Sequence, residues 1–214
     1  MVSWIDKDTE IYCSFAKTAG NTGCQMMNTA FYYYGLNKIY KSFSVDDIEE
    51  AVSSVRTLGI KGFAITMPYK IEVLKYVDEC EPSVNEVGCA NTIINDDNHL
   101  KAYNTDVYAA TTILSDCNNQ QKLYIIGNGG YSKSVNWAGK TSGFEIEQIT
   151  RENWGDLGDI KNSVVYNCTP VKNIIIDTSN IFIDSDVTTT TGKKLANIQA
   201  SYQFKLYTGK EWPL

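Results

Sequence analysis

The segment KLYIIGNGGYSKSVNWAGK, residues 122–140, joins a short apolar run to a glycine-rich turn and then to a helical pattern. We predict a strand over 122–126, a tight turn over 127–130 and a helix over 131–140. A strand that leads through a glycine turn into a helix is typical of folds in which helices cover a parallel sheet. The segment therefore predicts an α/β fold for this part of the chain.

Strand and helix patterns alternate on both sides of this segment. The apolar periodicity predicts further strands over 10–16, 38–43, 62–67, 91–95, 100–104, 145–150, 163–166 and 181–184. It predicts further helices over 22–34, 48–58, 68–77, 107–114 and 193–207. This alternation indicates an α/β protein with mostly parallel sheets and right-handed crossovers. A polar break over 115–120 predicts a boundary between two domains.

Composition excludes several classes of function. The 214 residues carry 19 Lys and Arg against 25 Asp and Glu, a net charge of -6. An acidic chain without a basic cluster argues against nucleic-acid and anionic-membrane partners. No apolar run is long enough for a membrane span, and the first residues lack a signal pattern. Six cysteines without a C-x-x-C pair, together with the single histidine His99, predict reduced thiols, no metal site and a cytoplasmic location.

The glycine turn is the clearest candidate for a binding site. Residues 127–132, GNGGYS, are a G-x-G-x-x-S variant of the dinucleotide fingerprint, between a predicted strand and a predicted helix. Such a turn lets a pyrophosphate approach the backbone at a helix N-terminus. Arg151, after the next predicted strand, favours a 2′-phosphate and hence NADP, whereas Glu152 beside it weakens that preference. The alternatives are a glycine turn without a ligand and an Arg151 that is an ordinary surface charge.

Lys70 and Asp106 are the candidates for proton transfer. Each follows a predicted strand, and strand ends at one edge of a sheet can converge. A lysine beside a carboxylate shuttles a proton when its pKa is brought toward neutrality. The alternative is that both are ordinary surface charges.

Five motifs occur in an order that matches a known family. They are GFAITMPYK at 62–70, GCANT at 88–92, NTD at 104–106, GNGG at 127–130 and NCTP at 167–170. Together they resemble the shikimate dehydrogenase family, NADP-dependent cytoplasmic enzymes of aromatic amino acid biosynthesis that interconvert 3-dehydroshikimate and shikimate. The resemblance covers the chain from about residue 14 to residue 212.

The resemblance implies a domain organisation and a set of site residues. A substrate-binding catalytic domain would comprise 1–115 with a C-terminal helix at 195–214, and a truncated Rossmann-like NADP-binding domain would comprise 120–194. The implied catalytic pair is Lys70 and Asp106. The implied substrate-binding residues are Asn21, Thr66, Asn91 and Gln199. The implied cofactor-binding residues are Gly127, Asn128, Gly129, Gly130, Tyr131, Thr150, Arg151 and Thr169.

Three departures from the family pattern qualify these expectations. Asn21 and Gly23 stand where the family has two serines that hold the substrate carboxylate, which is typical of a shikimate-dehydrogenase-like subgroup. The segment 121–197 is too short for six strands, since one βαβ unit takes roughly 30 residues, so we expect four. A second cofactor arginine is missing near Trp154 or Gly155.

These departures leave the activity open at this point. The leading hypothesis is an NADP-dependent oxidoreductase, with NAD also possible, acting on shikimate, quinate or a related polyhydroxy cyclic carboxylate as a monomer or homodimer. The alternatives are a non-catalytic small-molecule-binding protein derived from that family, and an enzyme that uses the pair for proton transfer or dehydration without NADP.

Overall fold

Two compact units make up the protein in a computed structural model that describes residues 5–213. The first unit extends to Thr105 and resumes at Ala200, and the second unit is Asp106–Gln199. The predicted break at 115–120 therefore lies inside the second unit. The assignment of substrate and cofactor roles to the two parts of the chain stays a prediction.

The first unit contains a six-stranded mixed sheet. Its strands are β1 (Glu10–Ala16), β2 (Lys38–Ser44), β3 (Gly62–Ile65), β4 (Glu79–Cys80), β5 (Thr92–Asp96) and β6 (His99–Tyr103). Their order is β2-β1-β3-β5-β6-β4, in which β2, β1 and β3 are parallel and β5 runs antiparallel to β3 and β6. The helices are α1 (Thr22–Tyr33), α2 (Ile48–Leu58) and α3 (Pro82–Val87). Two further helices, α4 (Thr105–Leu114) and α6 (Thr190–Thr208), contain the points where the units divide.

The central strand β1 packs on both faces, because successive side chains of a strand point to opposite sides. Cys13 and Phe15 lie in one apolar core with α2. Tyr12 lies in a second core with Phe31 of α1 and Phe204 of α6. The C-terminal part of α6 is thus an integral part of the first unit.

The second unit contains the four-stranded sheet that the sequence predicts. Its strands are β7 (Leu123–Ile126), β8 (Ile146–Ile149), β9 (Val164–Asn167) and β10 (Ile181–Asp184), and helix α5 spans Gly130–Thr141. All strand pairs are parallel, in the order β10-β9-β7-β8. Strand β8 lies on one side of β7, and the chain then returns so that β9 lies on the other side of β7. Ligands of open parallel sheets bind at the carboxyl ends of the strands at such a switch point.

The predicted helix over 68–77 is wrong. The Met67–Pro68 peptide is cis, and only a short 3-10 helix, Glu72–Lys75, follows it. An α-helix there would need the Lys70 carbonyl for Leu74, but that carbonyl accepts the N–H of Ala90 at 2.8 Å. A tertiary hydrogen bond has therefore replaced a local one. The strand predicted over 62–67 ends at Ile65, and a turn begins at Met67.

The threonine run at 188–191 closes the edge of the second sheet. Helix α6 begins inside the run, at Thr190. The Thr191 hydroxyl accepts the N–H of Asp184 at 3.0 Å and donates to its carbonyl at 2.9 Å. These bonds satisfy the backbone of Asp184 at the end of the edge strand β10, where unpaired groups would otherwise attract another strand.

Among the described residues, no helix is long and apolar enough to cross a membrane.

Candidate functional site

The turn after β3 holds Thr66 and Lys70 in the first unit. The Thr66 N–H donates to the Phe15 carbonyl at 3.0 Å, and the Thr66 carbonyl accepts the N–H of Tyr69 at 2.9 Å. With the bond from Ala90 to the Lys70 carbonyl, main-chain bonds fix both ends of the turn. Thr66 is exposed and Lys70 is half-buried. The turn therefore presents a hydroxyl and an ammonium group from a fixed backbone.

Asn91 is buried beside the start of α4. Its Oδ1 accepts the backbone N–H of Thr105 at 2.8 Å and the hydroxyl of Thr92 at 3.0 Å. Its Nδ2 donates to the Thr105 hydroxyl at 2.9 Å. The side chain is 3% exposed. Asn91 thus caps the N-terminus of α4, in which Asp106 is the second residue. The same bonds fix the orientation of the Asn91 side chain.

Asn21 and Gly23 lie at the exposed beginning of α1. The Asn21 carbonyl accepts the N–H of Gln25 at 2.9 Å, and its side chain makes no capping bond. A Cβ at Gly23 would lie 3.9 Å from the Tyr40 hydroxyl, in ordinary van der Waals contact. A side chain at position 23 therefore fits without a clash, and the glycine is not required by local packing.

Asp106 and Gln199 are brought together in the second unit. Gln199 Nε2 donates a hydrogen bond to Asp106 Oδ1, and Asp106 is 0% exposed. A buried carboxylate needs such donors, because an unsatisfied buried charge is costly. Lys70 belongs to the first unit and Asp106 to the second. The implied Lys70–Asp106 pair stays a prediction.

The glycine turn lies at the switch point between β7 and β9. Gly127 has a φ of 105°, and a Cβ there would lie 2.7 Å from Thr169 Cγ2. Gly129 precedes the first residue of α5, and a Cβ there would meet nothing within 4 Å. Asn128 and Gly129 are exposed. The turn therefore leaves an open approach to the N-terminus of α5, which suits an anionic pyrophosphate.

Thr169 lies opposite Gly127 at the switch point. Its N–H and its hydroxyl donate to Asn167 Oδ1, at 2.9 and 2.7 Å. Asn167 Nδ2 in turn donates to Asp184 Oδ1 at 3.1 Å. The ends of the adjacent strands β9 and β10 are thereby tied at the edge where a ligand is expected. The residues at this edge fit a dinucleotide, because Gly127 and Gly129 have no side chains that would occupy the space for the phosphates.

Tyr131 directs its side chain into the core of the second unit. Its hydroxyl lies 2.8 Å from that of Tyr166. Burial raises the pKa of both phenols well above their usual value, and the charge of Asp106 adds to this. The side chain of Tyr131 thus serves the core, and its backbone N–H is the part that remains suited to the implied cofactor role.

Thr150 and Arg151 follow β8. The Thr150 N–H donates to Asn153 Oδ1 at 2.7 Å, which fixes the loop. Arg151 is exposed, and within residues 5–213 the structure shows no hydrogen bond or ion pair of its guanidinium. The side chain is therefore available to an anionic ligand.

Gln203 lies in none of the quoted motifs, and Thr92 ends the GCANT motif without an assigned role. Gln203 Nε2 donates to Thr92 Oγ1 at 3.0 Å, and Thr92 is the residue that donates to Asn91. One signal was present: Gln203 follows Gln199 by four residues, which places both on one face of α6.

Comparison with known proteins points to one family. Residues 22–93 match the family model of the shikimate dehydrogenase substrate binding domain. A shikimate dehydrogenase-like protein of Haemophilus influenzae is 40% identical over 151 residues, which are 70% of this chain and 56% of the relative. A shikimate dehydrogenase (NADP(+)) of Pyrococcus abyssi is 35% identical over 149 residues, 69% of this chain and 50% of the relative. The chain thus spans about half the length of the curated relatives it matches.

Solved structures show the same fold. A shikimate 5-dehydrogenase-like protein superposes with a TM-score of 0.80 at 29% identity, over 97% of this chain and 94% of the other. A Thermus thermophilus shikimate 5-dehydrogenase in complex with NADP(H) and shikimate has a TM-score of 0.75 at 18% identity, over 94% of each chain, and supports the fold alone. The second unit, a parallel sheet with a glycine turn at its switch point, is a Rossmann-like unit. Residues 22–93 carry the match to the shikimate dehydrogenase substrate binding domain, and 70% of the chain is similar in sequence to a shikimate dehydrogenase-like protein.

Proposed function

We propose that this protein is an NADP-dependent oxidoreductase that interconverts 3-dehydroshikimate and shikimate, or a related polyhydroxy cyclic carboxylate. The observation that carries the proposal is the open glycine turn at the switch point, in a chain that is similar to this family. Gly127 and Gly129 lack the Cβ atoms that would narrow the approach to α5. We further propose cytoplasmic action in aromatic amino acid biosynthesis, as a monomer or homodimer.

The residues of this chain fit the roles that a dinucleotide would need. The backbone at Gly127, Gly129 and Tyr131 would hold the pyrophosphate, and Arg151 would meet a 2′-phosphate. When bound, the nicotinamide ring would supply or accept a hydride. Arg151 follows β8, and the second cofactor arginine of the family is missing, so we expect weak binding with a modest preference for NADP over NAD.

The remaining steps concern a proton and the orientation of the substrate. Lys70 would give a proton to, or take one from, the hydroxyl oxygen at the reacting carbon. Asp106, held by Gln199, would orient the lysine and share its hydrogen bonds. Thr66 and Asn91 would bind the neighbouring hydroxyls of the ring. Asn21 is the remaining side chain for the carboxylate, so we expect shikimate itself to bind weakly, with a Kd near the millimolar range.

The test is cofactor reduction with shikimate and quinate as substrates. We expect turnover in the wild type and a loss of two or more orders of magnitude in Lys70→Ala and Asp106→Asn, with much smaller changes in KM. Lys75→Ala, an exposed lysine on the following 3-10 helix, is the matched control and should retain turnover. Wild-type turnover in either site variant would remove that residue from the mechanism. Ligand binding without turnover would favour the non-catalytic binding protein.

A further inference from the structure

A chain of hydrogen bonds joins helix α6 to Asn91 within the first unit. Gln203 Nε2 donates to Thr92 Oγ1 at 3.0 Å, and Thr92 Oγ1 donates to Asn91 Oδ1 at 3.0 Å. Thr92 and Asn91 are buried, and Gln203 is half-buried. Water therefore has little access to Thr92 and cannot easily replace a lost partner. The geometry of these buried hydrogen bonds consequently matters more than that of exposed hydrogen bonds.

The direction of every bond in the chain is determined by one backbone group. The N–H of Thr105 lies 2.8 Å from Asn91 Oδ1. A backbone N–H only donates, so the atom it meets must be the amide oxygen of Asn91. That oxygen only accepts, so the hydroxyl of Thr92 must donate its single proton to it. Thr92 Oγ1 is then left with lone pairs alone, and its partner on α6 must be a donor.

Gln203 meets this requirement, and its closest chemical analogue does not. The NH₂ end of a glutamine donates, whereas an ionised glutamate offers two acceptors. A carboxylate at position 203 would compete with Asn91 for the single proton of Thr92. The hydroxyl of Thr92 would then donate to residue 203 instead of accepting from it, and Asn91 Oδ1 would lose one of its donors.

We propose that Gln203 is a positioning residue that acts through Thr92 to fix the orientation of the Asn91 amide. This inference rests on the proposed function, in which Asn91 binds a substrate hydroxyl. With Oδ1 committed to protein donors, Asn91 meets a ligand through Nδ2 and therefore as a donor. The substrate atom at this point must be an acceptor oxygen, and an ammonium substituent in its place would be rejected.

Four variants separate this role from simple packing. Gln203→Glu reverses the chain, and Thr92→Val removes the donor to Asn91. Gln203→Leu removes the donor to Thr92 but leaves the Thr92–Asn91 bond in place. Thr92→Ser keeps the hydroxyl. We expect Gln203→Glu and Thr92→Val to raise KM for the substrate about tenfold, equivalent to about 1.4 kcal/mol, with Gln203→Leu closer to wild type and Thr92→Ser nearly unchanged.

The measurements are KM, kcat and the dissociation constant of NADP for each variant. We expect the NADP constant to stay at the wild-type value. Lys205→Ala is the control, because Lys205 lies on the same helix and its exposed ion pair is with Glu211, beyond the helix end. Equal KM values for Gln203→Glu and Gln203→Leu would overturn the proposal, because packing alone does not distinguish an acceptor from an apolar side chain. Unchanged KM in Gln203→Glu would overturn it as well.

Asn91→Asp distinguishes failure of this inference from failure of the proposed function. The aspartate keeps an oxygen for the Thr105 N–H and loses the Nδ2 donor. If Asn91→Asp leaves KM unchanged, Asn91 does not bind the substrate and its assigned role is wrong. The side-chain amide signals of Asn91 in ¹⁵N NMR provide a readout that needs no substrate. They should shift in Gln203→Glu and stay in place in Lys205→Ala; signals unmoved by Gln203→Glu would contradict the coupling.

Discussion

Replacing Gly127 by alanine tests the glycine turn most sharply. The φ of 105° lies in a region where a residue with a side chain costs about 1–3 kcal/mol. The new Cβ would also lie 2.7 Å from Thr169 Cγ2, and overpacking of this kind typically costs about 1–3 kcal/mol. We therefore expect Gly127→Ala to lower the free energy of unfolding by about 2–6 kcal/mol.

The two causes can be separated with a second substitution. Thr169→Ser removes Cγ2 and keeps the hydroxyl that donates to Asn167. In the double variant Gly127→Ala/Thr169→Ser, the steric part should be relieved and the backbone part should remain. A double-mutant cycle by urea denaturation should therefore give a coupling of about 1–3 kcal/mol, the size of the steric part.

Gly129→Ala is the matched control for stability and the contrasting variant for binding. No atom lies within 4 Å of its Cβ and the φ is -81°, so alanine fits at this position. Alanine is a poorer N-cap than glycine but restricts the unfolded chain more, so stability should change by less than about 1 kcal/mol. The methyl group would nevertheless occupy the approach to α5, so NADPH affinity, measured by fluorescence titration, should fall. A Gly127→Ala variant as stable as the wild type, or the absence of coupling with Thr169→Ser, would refute the reasoning.

Two further predictions concern charged groups of the second unit. Arg151→Ala should erase the preference for NADP, expected at no more than about tenfold, and leave NAD affinity nearly unchanged in parallel titrations; a preference that persists would exclude Arg151. The N–H and hydroxyl of Thr188 lower the pKa of Asp186 to about 2. This stabilisation is present above roughly pH 4 and is lost as the pH falls through the folded pKa. The urea midpoint of Asp186→Asn should therefore fall less than that of the wild type between pH 5 and pH 2.

Local patterns predicted most of the fold because local bonds fix those elements. Helix α2 is an example, since Asp47 accepts the N–H of Glu50 and Gly59 ends the helix with a φ of 66°. The hairpin of β5 and β6 and the strands of the second unit likewise follow their apolar patterns. Family motifs identified the glycine turn, together with Asp106 and Gln199, which the structure brings into contact.

The remainder depends on contacts between residues that are distant in sequence. The helix expected after Pro68 fails because Ala90 takes the Lys70 carbonyl. The inward direction of Tyr131 depends on Tyr166, which lies 35 residues further along the chain. The bond from Gln203 to Thr92 spans 111 residues. No periodicity within one element encodes such pairs, so the sequence alone did not reveal them.

The most direct test of the central claim is titration of the wild-type protein with NADP and NAD, followed by fluorescence or calorimetry. We predict weak but saturable binding of both, with NADP bound up to about tenfold more tightly, a difference of about 1.4 kcal/mol. If neither dinucleotide binds at millimolar concentration, the dehydrogenase function is wrong and the protein is better described as a small-molecule-binding protein derived from the shikimate dehydrogenase family.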